Sequence, residues 1–153
     1  MGNMKSQDNQ REAVFLSYLA GIIDGEGTIR IGSSKPTNKI NWNTIYYAAI
    51  SVGMTNRKII EMFVKKFGSK IREEKCVANR KKMYRWGTSG NFVVPTILKQ
   101  LLPYLVVKKE QAELVIKYCS KVKTTGFRRN KKLPINQLLW REDFYQKMKK
   151  LNS

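Results

Sequence analysis

The sequence predicts an α+β fold: a mixed or antiparallel sheet with helices on one face, in the order αββαββα, followed by helical C-terminal elements. Three observations carry this. Apolar residues recur at helical spacing in some segments and alternate in others. The alternating segments come in pairs, each pair joined by a turn-rich stretch. Each predicted strand has an apolar face and a polar one, and Arg30, Lys35, Lys39, Arg72, Lys75, Lys82 and Arg85 are assigned to the second.

Residues 1–11 are polar and lack an apolar period, which predicts a flexible tail ahead of one domain over residues 12–153. The first helix is predicted from Glu12 to Gly25. Phe15, Leu19, Ile22 and Ile23 form its apolar stripe. Gly21 and Gly25 make a small pair four residues apart, a spacing that lets a second backbone approach closely. Asp24 and Glu26 fall where this helix should end, with Gly27 as a left-handed cap. A helix C-terminus is the negative end of the dipole, so each acid there costs about 0.3–1 kcal/mol. A positive group is therefore expected between them and a partner, either a lysine or a hard divalent cation bound through oxygen.

Thr28 to Ser33 alternates and predicts a strand, with Ile29 and Ile31 inward and Arg30 outward. Residues 34–43 contain Pro36 and read as a long turn. Thr44 to Gly53 predicts a second strand, with Tyr46, Ala48, Ile50 and Val52 toward the core and Tyr47, Ala49 and Ser51 facing the other way. Thr55 or Asn56 can cap a helix bearing Ile59, Ile60, Phe63, Val64 and Phe67, which Gly68 ends. Lys70–Val77 and Lys82–Thr88 predict the second pair of strands around a turn at 78–81. A helix opens near Ser89–Asn91, tolerating Pro95 near its start, and Pro103 breaks the chain. Lys108–Lys121 and Ile135–Leu151 predict two further helices around a basic loop, the second with Leu138, Leu139, Phe144, Met148 and Leu151 available for packing.

Composition narrows the function. Thirty Lys and Arg against 11 Asp and Glu give a net charge of +19, which points to a polyanionic partner, most often nucleic acid. No apolar run approaches the roughly 18 residues of a membrane span, so no membrane partner is expected. The chain has no histidine and two cysteines, Cys76 and Cys119, which removes zinc fingers and Ser-His or Cys-His catalysis. The thiols are expected reduced in an intracellular protein. Acids, lysines, arginines and water must do any chemistry. A basic antiparallel ribbon suits the DNA major groove. Arg30, Arg72, Lys82 and Arg85 can pair with guanine edges, Asn41, Asn43 and Thr88 can read other bases, and Ser33 joins the contact set. Lys35, Lys39, Arg80, Arg128, Arg129, Lys131 and Lys132 suit phosphates, and Lys75 belongs to the DNA-binding set without a finer role. Trp42 and Trp86 read as core aromatics.

Leu19 to Gly27, reading LAGIIDGEG, closely resembles the motif that names the LAGLIDADG homing endonucleases. The segment from Leu102 to Ala112, LPYLVVKKEQA, is similar to the family's segment in which a proline-aromatic turn leads to a catalytic-pocket lysine. The resemblance spans about Phe15 to Tyr118 and implies a mechanism. In the family, two motif helices pack through their small residues, and each delivers one acid to a paired site at the DNA minor groove. Carried over, Glu26 binds the metal with the Gly25 carbonyl, Asp24 holds helix ends, and Lys108 is the pocket lysine. Asn56, Arg57 and Lys58 fall near a position that orients water or stabilises phosphate, and Arg57 is the residue assigned to it. Glu26 stands where single-motif members more often have Asp, and Met54 where some have a polar residue.

The motif occurs once, so the resemblance implies a homodimer with Leu19, Ala20, Gly21 and Asp24 at its interface. The implied activity is a Mg²⁺- or Mn²⁺-dependent double-strand break with short 3′ overhangs at a long pseudo-palindromic site. The implied partners are double-stranded DNA and a second copy of the chain. The implied location is with the host genome, in a prokaryotic cytoplasm or nucleoid or an organelle matrix. The alternative reading is an RNA maturase acting on its host intron, or a non-cleaving DNA-binding regulator on the same scaffold.

Overall fold

In a computed structural model of the chain, the first helix passes into the first strand without a linker. The structure describes residues 2–35, 44–74, 81–125 and 133–153, with side chains from residue 5. Its elements are α1 (Gly2–Glu26), β1 (Gly27–Ser34), β2 (Ile45–Met54), α2 (Arg57–Phe67), β3 (Arg72–Glu74), β4 (Met83–Ser89), α3 (Val93–Leu101), a 3₁₀ turn (Leu102–Tyr104), α4 (Lys109–Thr125) and α5 (Ile135–Leu151). This is the predicted αββαββα order with two C-terminal helices. The sheet runs β1-β2-β4-β3, and every neighbouring pair is antiparallel.

Helices cover one face of the sheet, and no described helix covers the other, the open face. Ile29 and Ile31 of β1, Tyr46, Ala48, Ile50 and Val52 of β2, and Trp86 of β4 bury one face. Against it pack Leu16, Leu19, Ala20 and Ile23 of α1, Ile60 and Phe63 of α2, and the apolar stripes of α3, α4 and α5, in one continuous core. Trp86 is the keystone of the α2 side. It stacks on Phe63 at 5.0 Å between centroids, and its Nε1–H donates to the Gly68 carbonyl at 2.9 Å. The expectation of a core Trp86 is met, whereas Trp42 lies outside the described residues.

Local signals mostly do what the sequence predicts. The Asn56 side chain accepts from the Lys58 amide at 3.0 Å and so caps α2. Gly68 ends α2 at φ 77°, its amide bonded to the Val64 carbonyl. Pro95 is the third residue of α3, where the missing amide costs little.

Three expectations fail. The helix starts at Gly2, not Glu12, so residues 2–11 extend α1 and do not form the predicted loose tail. Residues 5–12 are exposed, so no apolar period marks them, and strong helix formers such as Lys5, Gln7, Gln10, Arg11 and Glu12 carry the helix outward. Lys66 of α2 holds Glu12 in an ion pair. Gly27 is not a left-handed cap, since the glycines at positive φ among the described residues are Gly68 and Gly90. Its need is steric instead. A β-carbon there would stand 2.7 Å from the Ile23 Cα and 2.8 Å from the Ile23 carbonyl oxygen. Finally, Leu139 and Leu151 of α5, expected to pack, are exposed, and Phe144 and Met148 do the packing. No described helix is long and apolar enough to cross a membrane.

Candidate functional site

The end of α1 meets the start of α4. Asp24 Oδ2 accepts the Val106 amide at 2.7 Å, and Oδ1 accepts the Lys108 amide at 2.8 Å. The carboxylate is thus badly placed for the dipole of α1 but well placed for the N-terminal end of α4, where charge-assisted bonds to free amides are favourable. Lys108 then turns its Nζ back to donate to the backbone carbonyl of Asp24. The positive group expected at this helix end is, within one chain, a lysine from 84 positions downstream. The structure therefore brings Lys108 to Asp24 at the end of α1, and the Asp24 carboxylate joins that end to the start of α4.

Glu26 is exposed and makes no hydrogen bond or ion pair with a described residue. Its free carboxylate and the backbone carbonyls of the last turn of α1 are oxygen donors of the kind a hard divalent cation prefers. Among the described residues no group of three or more His, Cys, Asp and Glu is gathered to hold a metal. The donors of one chain fit such an ion in kind and fall short of it in number.

Arg57 does not join them. Its Nε donates to Glu61 at 2.9 Å, its Nη1 lies 3.8 Å from Glu73, and its guanidinium sits 5.8 Å from the Tyr84 ring centroid. Lys58, next to it, is exposed and its side chain has no described partner.

The predicted interface set divides. Leu19 and Ala20 are both 0% exposed, buried in the chain's own core, so they cannot meet a second chain. Asp24 is half-buried and occupied by the α4 entry. Gly21 alone of the set lies on the bare stripe of α1, with Val14 at 69% and Tyr18 at 48% exposure and with Gly25. A β-carbon added at Gly21 or Gly25 would meet nothing within 4 Å among the described residues. Consecutive helical residues point about 100° apart, so Leu19, Ala20 and Gly21 cannot share a face.

Strand register sorts the expected nucleic-acid contacts in the same way, because side chains alternate between faces. Arg30 pairs with Ala49, and Ala49 with Ser89, on the open face. Arg72 and Arg85 pair on the same face beside Gly53. Ser33 pairs with Tyr46 and Thr88 with Ile50, which puts both on the helix-covered face. Lys82 shares the parity of Tyr84 and Trp86. Its Nζ bonds Glu73 at 2.6 Å and sits 5.6 Å from the Tyr84 ring centroid. Lys35 is exposed beyond β1, on the side of α5. Lys39, Asn41, Asn43, Lys75, Arg80, Arg128, Arg129, Lys131 and Lys132 lie outside the described residues.

Sequence reasoning passed over Tyr47, Ser51, Glu74 and Met83, which share the open face with Arg30 and Arg85. Their parity was the available signal. Tyr47 lays its ring over Gly32, where a β-carbon would stand 2.6 Å from Cζ. Cys119 offers no chemistry: burial pushes its thiol up to about 12.

Fold and site together define an α+β scaffold with a basic antiparallel sheet and a first helix whose last turn is met, at Asp24, by a lysine. That scaffold is the LAGLIDADG homing endonuclease fold. The homing endonuclease I-CvuI, in complex with its target in the presence of calcium, superposes with a TM-score of 0.64 at 20% identity, over 93% of this chain and 97% of that one. The archaeal intron-encoded homing endonuclease I-Vdi141I, complexed with DNA, gives 0.56 at 15% identity, over 86% and 96%. The LAGLIDADG meganuclease I-AabMI, bound to uncleaved DNA, gives 0.65 at 15% identity, over 86% of this chain and 45% of that one. No protein-family model matches the sequence, and no curated protein does.

Proposed function

We propose that this chain is a site-specific DNA endonuclease that acts as a homodimer. It makes a divalent-metal-dependent double-strand break with short 3′ overhangs at a long pseudo-palindromic site, alongside its host genome. The observation that carries this reading is the meeting of Lys108 with the acid end of α1, next to a carboxylate on Glu26 that no described residue occupies.

The dimer follows from the bare stripe Val14, Tyr18, Gly21 and Gly25. Its two open glycines let a second α1 approach closely, and the contact sets two acid tips side by side. Two Glu26 carboxylates and two Gly25 carbonyls, completed by water and phosphate oxygens, make a donor set suited to Mg²⁺ or Mn²⁺. Such an ion, when bound, activates water and offsets charge on the phosphate. Lys108, tethered through the Asp24 carbonyl, is set to stabilise charge developing on the scissile phosphate. The open face of the sheet holds the duplex. Arg57 is withdrawn from the catalytic set because its guanidinium bonds Glu61 and lies near Glu73, and Lys58, a cation with no described partner near the β2–α2 turn, takes its place.

The test is cleavage of a plasmid carrying the uninterrupted copy of the locus that holds the reading frame, with and without Mg²⁺. Glu26→Gln should retain melting temperature and duplex binding but lose several kcal/mol of transition-state stabilisation, about 100-fold or more in rate. Equal cleavage by wild type and variant would sink the assigned site. A clear preference for structured RNA over duplex DNA in salt-dependent binding would favour the maturase reading.

A further inference from the structure

On the open face of the sheet, Arg72 and Arg85 stand directly opposite each other across β3 and β4. Like charges in that position destabilise a pair of strands unless something negative lies between or above them. Part of the answer is built in. Glu74, two residues after Arg72 and on its face, reaches diagonally to Arg85. Its Oε1 accepts from Arg85 Nε at 2.7 Å. The bond engages the guanidinium by its inner nitrogen and leaves the outer pair, Nη1 and Nη2, with no partner among the described residues. The guanidinium lies across the strand over Gly53, where a β-carbon would stand 3.5 Å from both Cζ and Nη2. An arginine side chain has four freely rotating bonds and ordinarily sweeps a wide volume. Here one carboxylate and one missing side chain hold it in place.

An acid on a face meant for DNA is otherwise unfavourable, since it repels phosphate. We propose that Glu74 is a positioning residue for sequence recognition: it aims the Nη fork of Arg85 at the O6 and N7 edge of a guanine at one base pair of each half-site. The inference rests on the endonuclease reading above and specifies the base and the residue pair that read it. A bidentate arginine–guanine pair discriminates by about ten-fold or more, but only if the fork arrives in its plane.

The experiment selects bound duplexes from a pool randomised over about 20 base pairs, two helical turns, with wild type, Arg85→Ala, Glu74→Ala and Glu74→Gln. Wild type should enrich guanine at a position where Arg85→Ala does not. Glu74→Ala should lose about ten-fold of that preference at the same position, while its affinity for unselected duplex stays equal or rises, because an acid has left the face. Glu74→Gln, whose amide oxygen still accepts from Nε, should keep part of the preference. A purely structural role would weaken binding at all positions alike. The proposal falls if Glu74→Ala keeps the wild-type preference, or if no enriched guanine depends on Arg85. Wild type that binds no duplex at all overturns the endonuclease reading itself, a distinguishable result.

Discussion

Asp24 and Glu26 sit two residues apart, yet one is fastened and the other has no partner among the described residues. The Asp24 carboxylate takes the amides of Val106 and Lys108, so Asp24→Asn removes a charge-assisted acceptor and presents an amide N–H to one of two donors. We expect a loss of about 1.5–3 kcal/mol, read as a lower urea midpoint with unchanged slope. Cleavage should fall further than stability, because Lys108 is placed by the same contact. Gly27 is constrained by its approach to the Ile23 backbone, which has no flexible end to move aside. Gly27→Ala should cost about 1–3 kcal/mol, measured by thermal unfolding, and should displace Glu26 from its present position. An unchanged melting temperature would show that the helix and strand tolerate the extra carbon.

At the scale of elements, α5 is tied to the sheet and to α4 by polar contacts around a small apolar centre. The Tyr46 hydroxyl of β2 donates to Glu142, Gln111 Nε2 of α4 donates to the Leu151 carbonyl at 3.1 Å, and Asn152 Nδ2 donates to the Ile29 carbonyl at 3.1 Å. Hydrogen bonds from Gln146 and then from Tyr46 hold Glu142 below the ordinary carboxylate value. A carboxylate with a depressed folded pKa contributes stability above its unfolded value of about 4.3, and that stability is lost as pH falls through the lower folded value. Burial, then the bond to Glu142, pushes Tyr46 up to about 12. A raised tyrosine acts in the other direction: its contribution is full below about 10 and is lost as pH rises toward about 12. Tyr46→Phe should therefore flatten both the acid and the alkaline limbs of stability against pH. Limbs as steep as those of wild type would mean that α5 is anchored elsewhere.

For the whole molecule the decisive surface is the stripe along α1. Gly21 costs helix stability, and a β-carbon there would meet nothing among the described residues, a combination that calls for a partner. Gly21→Leu should raise the stability of the isolated chain by about 0.5–1 kcal/mol. It should also block close helix contact, leaving a monomer by sedimentation equilibrium and abolishing double-strand cleavage. A gain in stability together with a loss of assembly separates an interface role for Gly21 from a role in folding. If Gly21→Leu still dimerises, the second chain sits elsewhere.

The sequence by itself determined the element order, the inward faces of β1 and β2, the cap at Asn56, the end at Gly68 and the nine-residue segment that ends in Asp24 and Glu26. These depend on neighbours within a few positions, where period and turn chemistry act directly. It also singled out Lys108 through a resemblance, and the fold sets that side chain against the Asp24 carbonyl. It did not separate Lys82 from Arg85, Ser33 from Arg30 or Ala20 from Gly21. Each pair is close in sequence and points to different sides, and the covered side is set by which strands pair and where the helices pack. Nor did it foresee Gly27 pressed on Ile23, or Glu74 reaching from β3 to β4. Only tertiary structure decides these, because each depends on the distance between backbones that the chain brings together after local structure has formed.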